Sequence, residues 1–197
     1  MRVARMKGTC EPSPEISVLP DAEPDSSLMA RIAAGDMAAF EQLIRRHQSP
    51  AWSLAYRFIG DPVEAEDIVQ KAFMNIYEAA SRYRPTAKFR TYLFLIVANL
   101  CRNHRSKRRE QPTDNLPQIT DPSASADQLV LENERSAAIR RVLEALPANQ
   151  RLVVLLRYFE ELRYEEIAEV MWTSEKAVDS LLQRARRSLQ SHLAVWK

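Results

Sequence analysis

The sequence predicts an all-α protein built from two small helical domains joined by a flexible linker. Three observations support this fold class. The chain has 197 residues but only three glycines. Ala, Leu, Glu and Arg dominate it, and all four favour helices. Its apolar residues recur at helical spacing, not at the alternating spacing of strands. The length suffices for one large domain or two small ones, each with a buried core.

Composition narrows the class of protein. The net charge is +2, so a nucleic-acid surface would have to come from local clustering of basic residues. Cys10 and Cys101 are the only cysteines, which indicates no disulfide framework and a reducing cytoplasm. The N-terminal MRVARMKGT has no apolar stretch after it, so we expect no signal peptide and no direct membrane insertion.

Two proline-rich stretches divide the chain. Residues 1–26 contain four prolines, and residues 111–127 contain three and no Lys or Arg. Such composition is typical of disorder. We therefore predict a disordered leader over 1–26, a helical domain over 27–109, a linker over 110–130 and a second domain over 131–197.

The first domain shows clear helix signals. Asp36 is placed to cap a helix with an apolar face, and Asp61 precedes Pro62 and Glu64 as a predicted capping box. The helix after Asp61 has a continuous apolar stripe, formed by Ala65, Ile68, Val69, Ala72, Phe73, Ile76 and Tyr77. Polar residues that include Glu66, Asp67 and Gln70 lie off this stripe.

A loop and a third helix in the first domain combine arginine, lysine and aromatic residues. The loop contributes Tyr83, Arg84 and Lys88, and the polar face of the helix contributes Asn99, Arg102 and Asn103. Aromatic faces with basic groups suit unstacked bases and phosphates. A solvated helix end, where basic residues complement the helix dipole, explains the run RNHRSKRR equally well.

The second domain contains a pattern typical of a helix-turn-helix. Two short amphipathic helices flank the turn at Trp172, and Ser174 is the predicted N-cap of the second helix. The outward face of that helix has the residue types of a DNA reader. Its members are Lys176, Asp179, Ser180, Gln183, Arg184 and Arg187. Its apolar stripe by itself indicates only a core.

No pattern in the sequence indicates an enzyme, a cofactor or a metal site. Cys101 and His104 share a helical face, but no further ligands complete a site. Glycine-rich phosphate loops and nucleophile motifs are absent from the sequence.

Two stretches together resemble the ECF-type (extracytoplasmic function) sigma factors of bacterial RNA polymerase. The first runs from AAGDMAAFEQLIRRH through DPVEAEDIVQKAFMNIYEAASRYRPTAKFRTYLFLIVANLCRNHRSKRR. The second is LEALPANQRLVVLLRYFEELRYEEIAEVMWTSEKAVDSLLQRARRSL. The similarity covers roughly residues 27–109 and 131–193, in the order of the family.

The resemblance implies a role for each part. The face with Glu66, Asp67 and Gln70 resembles the one that docks on core RNA polymerase. The loop at Tyr83 and the helix through Asn99 resemble the element that melts and reads the minus-ten promoter sequence. The second domain resembles the reader of the minus-thirty-five element, with its LLRYFEE helix near the polymerase flap. The linker would follow the RNA exit path, and an anti-sigma factor would hold the protein inactive.

The sequence departs from the family pattern at several positions. Trp172 replaces the usual Gly, and a Trp in this turn can pack if its backbone avoids positive φ. The other departures are Arg163, Asp179, Leu181, Tyr92 and Leu95. Two other functions remain open, namely a one-component helix-turn-helix transcriptional regulator and a helical adaptor without a nucleic-acid role.

Overall fold

The computed structural model describes residues 23–110 and 139–194, with side chains through residues 106 and 191. Four helices form the first domain, with a short 3₁₀ turn, Ala80–Arg82, after the third. They are α1 (Asp25–Ala33), α2 (Met37–Ile59), α3 (Pro62–Ala79) and α4 (Phe89–Glu110). In the second domain, residues 139–144 form α5, followed by α6 (Ala148–Tyr158), α7 (Tyr164–Met171) and α8 (Glu175–Ala194). The described ranges contain no strand, and the all-α prediction is confirmed.

The first helix begins inside the predicted leader. α1 starts at Asp25, so the predicted boundary at residue 26 is slightly late, and residues 1–22 lie outside the described ranges. The carboxylate of Asp25 accepts from Arg46 and lies 2.9 Å from His47 Nε2. Glu23 pairs with Arg31 at 2.7 Å. These pairs between α1 and its neighbours explain why the helix starts where the sequence still appears acidic and proline-rich.

Local capping places the next two helices as predicted. Asp36 Oδ1 accepts from the backbone N–H groups of Ala38 and Ala39. Asp61 Oδ1 accepts from Val63 and Glu64. The capping box at Asp61 is incomplete, because Glu64 Oε2 instead lies 3.2 Å from His104 Nδ1 on α4.

The core of the first domain follows the predicted stripes with one addition. Helical spacing predicts a core stripe on α4. Of its members Leu93 and Val97 are fully buried, whereas Ile96, Leu100 and His104 are partly buried; Phe94, outside the stripe, is also fully buried. On α3 the predicted stripe is buried except for Tyr77, which is 37% exposed and contacts Phe40. The polar side chains of α3 lie on its outer face, as do most of those of α4, whereas Thr91 on α4 is only 3% exposed.

Arg151 organises the start of the second domain. It is only 3% exposed, although it lies in an otherwise apolar segment of α6. Its guanidinium donates to the carbonyl oxygens of Leu143 and Glu144 near the end of α5, and to that of Phe58 on α2. Burial lowers the pKa of Arg151 to about 10, so the side chain stays protonated at neutral pH.

The two domains pack against each other. α7 lies on α4, and α6 lies on the C-terminal end of α2. Gly60 ends α2 with φ 89°, and a Cβ there would come within 3.1 Å of a Glu144 carboxylate oxygen. The seam between the domains is thus close-packed at this turn. The predicted linker, 110–130, lies outside the described residues except for Glu110.

Candidate nucleic-acid interface

The outward face of α8 has the geometry of a recognition helix. Ser174 Oγ accepts from the N–H of Ala177, which confirms the predicted N-cap. The six predicted contact residues are exposed except for Asp179, which is partly buried. Its carboxylate accepts a 2.8 Å hydrogen bond from Gln183 Nε2. The two side chains most suited to base readout therefore hold each other in place.

Trp172 takes the left-handed conformation that glycine usually provides at this turn. Its φ is 51°, and its side chain is 77% exposed. The N–H of Trp172 donates to Glu169 O, and that of Thr173 donates to Ala168 O. This is the Schellman arrangement, in which glycine is preferred because it carries no Cβ. The condition for packing is therefore not met: the hydrogen bonds that end α7 hold the backbone of Trp172 at positive φ, and its side chain stays exposed.

Arg163 replaces the expected hydroxyl cap of α7. An arginine side chain has no acceptor atom, so it cannot cap the backbone N–H groups of α7. Instead a side chain of α7 accepts from the backbone of Arg163. Glu166 Oε2 accepts the Arg163 N–H at 2.9 Å. This bond, more than any other interaction, lowers the pKa of Glu166.

The C-terminal half of the predicted first-domain face lies along α4. Asn99 Oδ1 accepts from Arg102 at 3.0 Å, and Asn103 is exposed. Burial lowers the pKa of Arg102. These three residues share one helical face, as the spacing predicts.

The loop half of the same face is arranged differently from the prediction. The Tyr83 ring packs 5.2 Å from that of Tyr92 and 6.4 Å from that of Phe89, and burial raises its pKa. Tyr83 is therefore half-buried among aromatic rings, not displayed as a free stacking surface. Arg84 is exposed.

Lys88 connects the loop to the second domain. Its Nζ lies 2.9 Å from Glu166 Oε1 on α7. A second interdomain pair joins Arg90 to Glu160 at 2.8 Å, with the Glu160 side chain only 5% exposed. Burial raises the pKa of Glu160, whereas its bond to Arg90 acts in the opposite direction. The sequence analysis missed this pair because it joins residues 70 positions apart.

Two departures from the family pattern lie on one cleft between the domains. Leu95 on α4 and Trp172 after α7 both line this space of about 770 Å³. Tyr83, Arg84 and Tyr92 also line it. The unexpected apolar residue on the polar face of α4 and the unexpected residue of the turn thus belong to the same surface.

An apolar groove accompanies the predicted polymerase-docking residues. Glu66 and Gln70 on α3 line a groove of about 750 Å³ between α2 and α3, whereas Asp67 is exposed beside it. Trp52, 37% exposed, and Met74, 53% exposed, also line this groove. The sequence analysis missed Trp52, although its spacing from Phe40 and Ile44 places all three on one face of α2.

The comparisons with known proteins agree with this layout. Residues 43–111 match the family described as Sigma-70 region 2, and residues 136–189 match that described as Sigma-70, region 4. The RNA polymerase sigma-H factor of Pseudomonas aeruginosa is 32% identical over 182 residues, covering 87% of this chain and 94% of that protein. The chain belongs to the ECF sigma factors of RNA polymerase. This sigma factor is also 29% identical to the ECF RNA polymerase sigma-E factor of Escherichia coli strain K12, covering 85% of this chain and 93% of that protein.

Solved structures share the fold of this sigma factor. CnrH, solved in complex with the cytosolic domain of CnrY, superposes with a TM-score of 0.67 at 26% identity, covering 87% of this chain and 97% of that one. RpoE of Bartonella quintana, solved with the anti-sigma factor NepR, gives a TM-score of 0.62 at 23% identity, covering 80% of this chain and 98% of that one. The second likeness concerns the fold alone.

Two further classes of site were searched in the described part of this sigma factor. No helix within it has the length and apolarity needed to cross a membrane. Within the same ranges, no three His, Cys, Asp or Glu side chains come together as metal ligands would.

Proposed function

We propose that this sigma factor divides its work between its domains as the sequence predicted. Residues 27–109 would bind core RNA polymerase and open the minus-ten element, and residues 131–197 would read the minus-thirty-five element. The observation that carries this proposal is the presence of two polar outward faces, on α4 and α8, in domains that match regions 2 and 4 in order. We further propose that the protein acts in the cytoplasm, without catalytic chemistry of its own.

The test is run-off transcription with purified core polymerase on a promoter library. A sigma factor makes transcription by core enzyme promoter-specific, whereas a one-component regulator acts only when another sigma factor is present. Specific transcripts from core polymerase plus this chain alone would support the proposal. Tight DNA binding without any association with core polymerase would favour the regulator.

Polymerase docking would use the groove between α2 and α3. Its apolar floor at Trp52 and Met74 would bury apolar surface, and Glu66, Asp67 and Gln70 at its margin would face basic groups of the partner. A polar rim around an apolar centre, with charges complementary to those of the partner, is typical of specific protein interfaces.

Charge reversal tests this docking surface. We expect Asp67→Lys to weaken core polymerase binding about tenfold or more, because a like charge would then face the partner. Helix content would not change, since Asp67 is exposed and makes only a 4.0 Å contact with Lys71. Glu41→Lys is the matched control, because it makes the same change of charge at an exposed position of α2 outside the groove. Equal affinities of the two variants in a quantitative pull-down would contradict the assignment.

Promoter opening would use the face of α4 with the loop before it. Asn99 and Asn103 would read base edges, Arg102 would meet phosphates, and Tyr83, Arg84 and Lys88 would extend the surface toward the upstream side. Amide groups read base edges, whereas arginine and lysine supply the salt-dependent phosphate contacts.

A double variant of the two asparagines separates opening from docking. We expect Asn99→Ala with Asn103→Ala to reduce permanganate reactivity at the start site about tenfold while core binding is unchanged, since each lost base contact costs about 1–3 kcal/mol. This variant preserves the aromatic packing of Tyr83, which a Tyr83→Ala change would disturb. Glu78→Ala with Asn75→Ala, two exposed positions on α3, is the control. Unchanged permanganate reactivity in the asparagine variant would refute this reading of α4.

Regulation by an anti-sigma factor is part of the proposal. Solved relatives with this fold include complexes with an anti-sigma factor. Co-purification of the tagged chain from its own cells, followed by competition with core polymerase, would identify such a partner. A partner that stays bound while core polymerase binds the same sigma factor would contradict an inhibitory role.

A further inference from the structure

We infer that Trp172, in the turn between α7 and α8, is an uncharged contact to the backbone of promoter DNA. The inference rests on the proposed function, because it adds one residue to the surface through which the second domain would bind DNA. The indole would pack against deoxyribose at the edge of the major groove that α8 enters. Two observations support it, namely a left-handed backbone at a bulky residue and a large apolar side chain that the protein leaves uncovered.

The backbone at Trp172 is held in a conformation that its side chain disfavours. Its φ is 51° and its ψ is 52°, which is unfavourable for a residue with a bulky side chain and easy for glycine. The N–H groups of Trp172 and Thr173 fix the turn by donating to Glu169 O and Ala168 O at 3.2 and 3.0 Å. Strain of this kind is common at functional sites. Glycine would make the same two bonds, so the fold does not require tryptophan here.

The indole contributes little to the packing of the protein. Trp172 is 77% exposed, which makes it the most exposed of the large apolar side chains in the described ranges. It lines the same cleft as Leu95, yet the first domain leaves most of its surface uncovered. Aromatic side chains can bury about 150–250 Å² each. Most of that surface is therefore available for contact with a partner.

The position of the turn indicates DNA as that partner. In a helix-turn-helix the first helix crosses the DNA backbone, and the N-terminal residues of the second helix contact base edges. α7 and α8 pack together, and residues 172–176 form an unbroken exposed run into the first turn of α8. This run ends at Lys176, on the outward face of α8. Trp172 thus lies between the part that crosses the backbone and the part that reads bases, where sugars and phosphates border the groove.

The chemistry of the turn suits a sugar better than a phosphate alone. The exposed run contains Glu175 beside Lys176, so its two charges oppose each other. The indole is uncharged, and its single N–H can donate to a phosphate oxygen while the ring covers the neighbouring sugar. Apolar contact of this kind raises affinity without releasing counterions, so it leaves the salt dependence of binding unchanged. This distinguishes Trp172 from Arg187, whose charge would release counterions.

Glu161 provides a control for the strain. It is the other non-glycine residue with positive φ in the described ranges, at 55°. It is exposed, and it precedes α7 whereas Trp172 follows α7. Glycine at either position relieves the same kind of strain, but only the change at Trp172 removes the indole.

The experiment compares Trp172→Gly with Glu161→Gly in the full chain. Thermal unfolding is measured on each variant alone. Promoter binding is measured on each variant with core polymerase, at two salt concentrations, with promoters that the parent chain selects from a library. We expect both changes to raise the melting temperature by about 2–4 °C, because glycine relieves the left-handed strain.

The two variants should differ in promoter binding. Trp172→Gly should weaken it about tenfold, on all selected sequences alike and equally at both salt concentrations, because apolar contact area is lost but no charge. Glu161→Gly should not weaken it, because loss of a carboxylate removes only repulsion from phosphates. A more stable variant that binds DNA less well would be the signature of a residue kept for contact.

A third variant separates the indole from the flexibility of glycine. Asparagine tolerates the left-handed conformation but has less freedom than glycine. Trp172→Asn should therefore weaken promoter binding as much as Trp172→Gly does. Parent affinity in Trp172→Asn would show that glycine acts through a looser turn, against the inference.

The other outcomes are equally distinct. Parent affinity in Trp172→Gly would overturn the inference, and so would a fall in its melting temperature, since the indole would then stabilise the fold. A loss confined to certain base pairs, or a loss of core polymerase binding, would replace the backbone contact by base readout or by a polymerase contact. If the parent chain gave no promoter-specific transcript with core polymerase, the proposed function would fail and the inference with it.

Discussion

Replacing Arg151 with methionine is expected to lower the free energy of unfolding by about 3 kcal/mol. The guanidinium satisfies three backbone carbonyl oxygens, those of Leu143, Glu144 and Phe58. Methionine fills a similar volume but donates no hydrogen bond, so the carbonyl oxygens of Phe58 and Glu144 would lose the guanidinium donor, and that of Leu143 would keep only the 3.1 Å bond from the N–H of Leu146. Each buried group left unsatisfied costs about 1–3 kcal/mol, and partial access of water reduces the sum.

Arg151→Lys is not expected to rescue the loss. An ammonium group is a single point donor, whereas the planar guanidinium reaches acceptors in three directions. Arg184→Met is the matched control, because Arg184 is exposed on α8 and such a change costs less than about 0.5 kcal/mol. Urea denaturation followed by helical circular dichroism measures all three variants. Similar midpoints for Arg151→Met and Arg184→Met would contradict the role assigned to Arg151.

Local chemistry explains why so much of the fold could be predicted. The N-caps at Asp36, Asp61 and Ser174 depend on hydrogen bonds within three residues, and the apolar stripes of α3 and α4 depend on neighbours within one turn. Both are visible in a sequence. Ile139 shows the limit of such spacing. It recurs with Val142, Leu143 and Leu146 as on the apolar face of a helix, but its side chain is 53% exposed.

The contacts that the sequence did not reveal join residues of one domain to residues of the other. Nothing near Glu160 or Arg90 indicates that they pair, and the position of Arg151 directly before the apolar run LVVLL was the only sign that it is buried. The backbone conformation of Trp172 was left open for a different reason. The hydrogen bonds that end α7 impose a left-handed turn whatever residue occupies it, and no propensity scale reports that constraint.

In the candidate site, the positions of the residues could be predicted from the sequence, but their partners could not. The faces of α4 and α8 were identified from helical spacing, and their residues remain predictions for DNA contact. The partners of those residues were not identified. Lys88 is paired with Glu166 across the seam, which no local pattern indicates. The bond between Gln183 and Asp179 could have been found, because side chains four residues apart on a helix are neighbours.

The prediction for α8 follows from that bond. Asp179→Arg is expected to change which upstream bases are preferred, by about 1–3 kcal/mol or roughly 5- to 150-fold for a base pair. Asp179 can accept from a cytosine amino group, whereas arginine donates to the O6 and N7 atoms of guanine. The change also frees the Gln183 amide, which can then read adenine. The base preferred at the site that residue 179 contacts should therefore shift toward guanine, and the preference at the neighbouring base pair should change less.

Arg187→Ala separates base readout from phosphate contact. Because phosphate contacts set affinity without reading sequence, this variant should weaken binding to all sequences alike. It should also lower the salt slope, which is the slope of log binding constant against log salt concentration, by about one in magnitude. Both variants would be measured by promoter-library selection at two salt concentrations, with Gln190→Ala, exposed near the end of α8, as control. If Asp179→Arg left the upstream preference untouched while Arg187→Ala still lowered the salt slope, α8 would contact the DNA backbone without reading its bases. If neither variant changed the salt slope, α8 would not contact DNA at all.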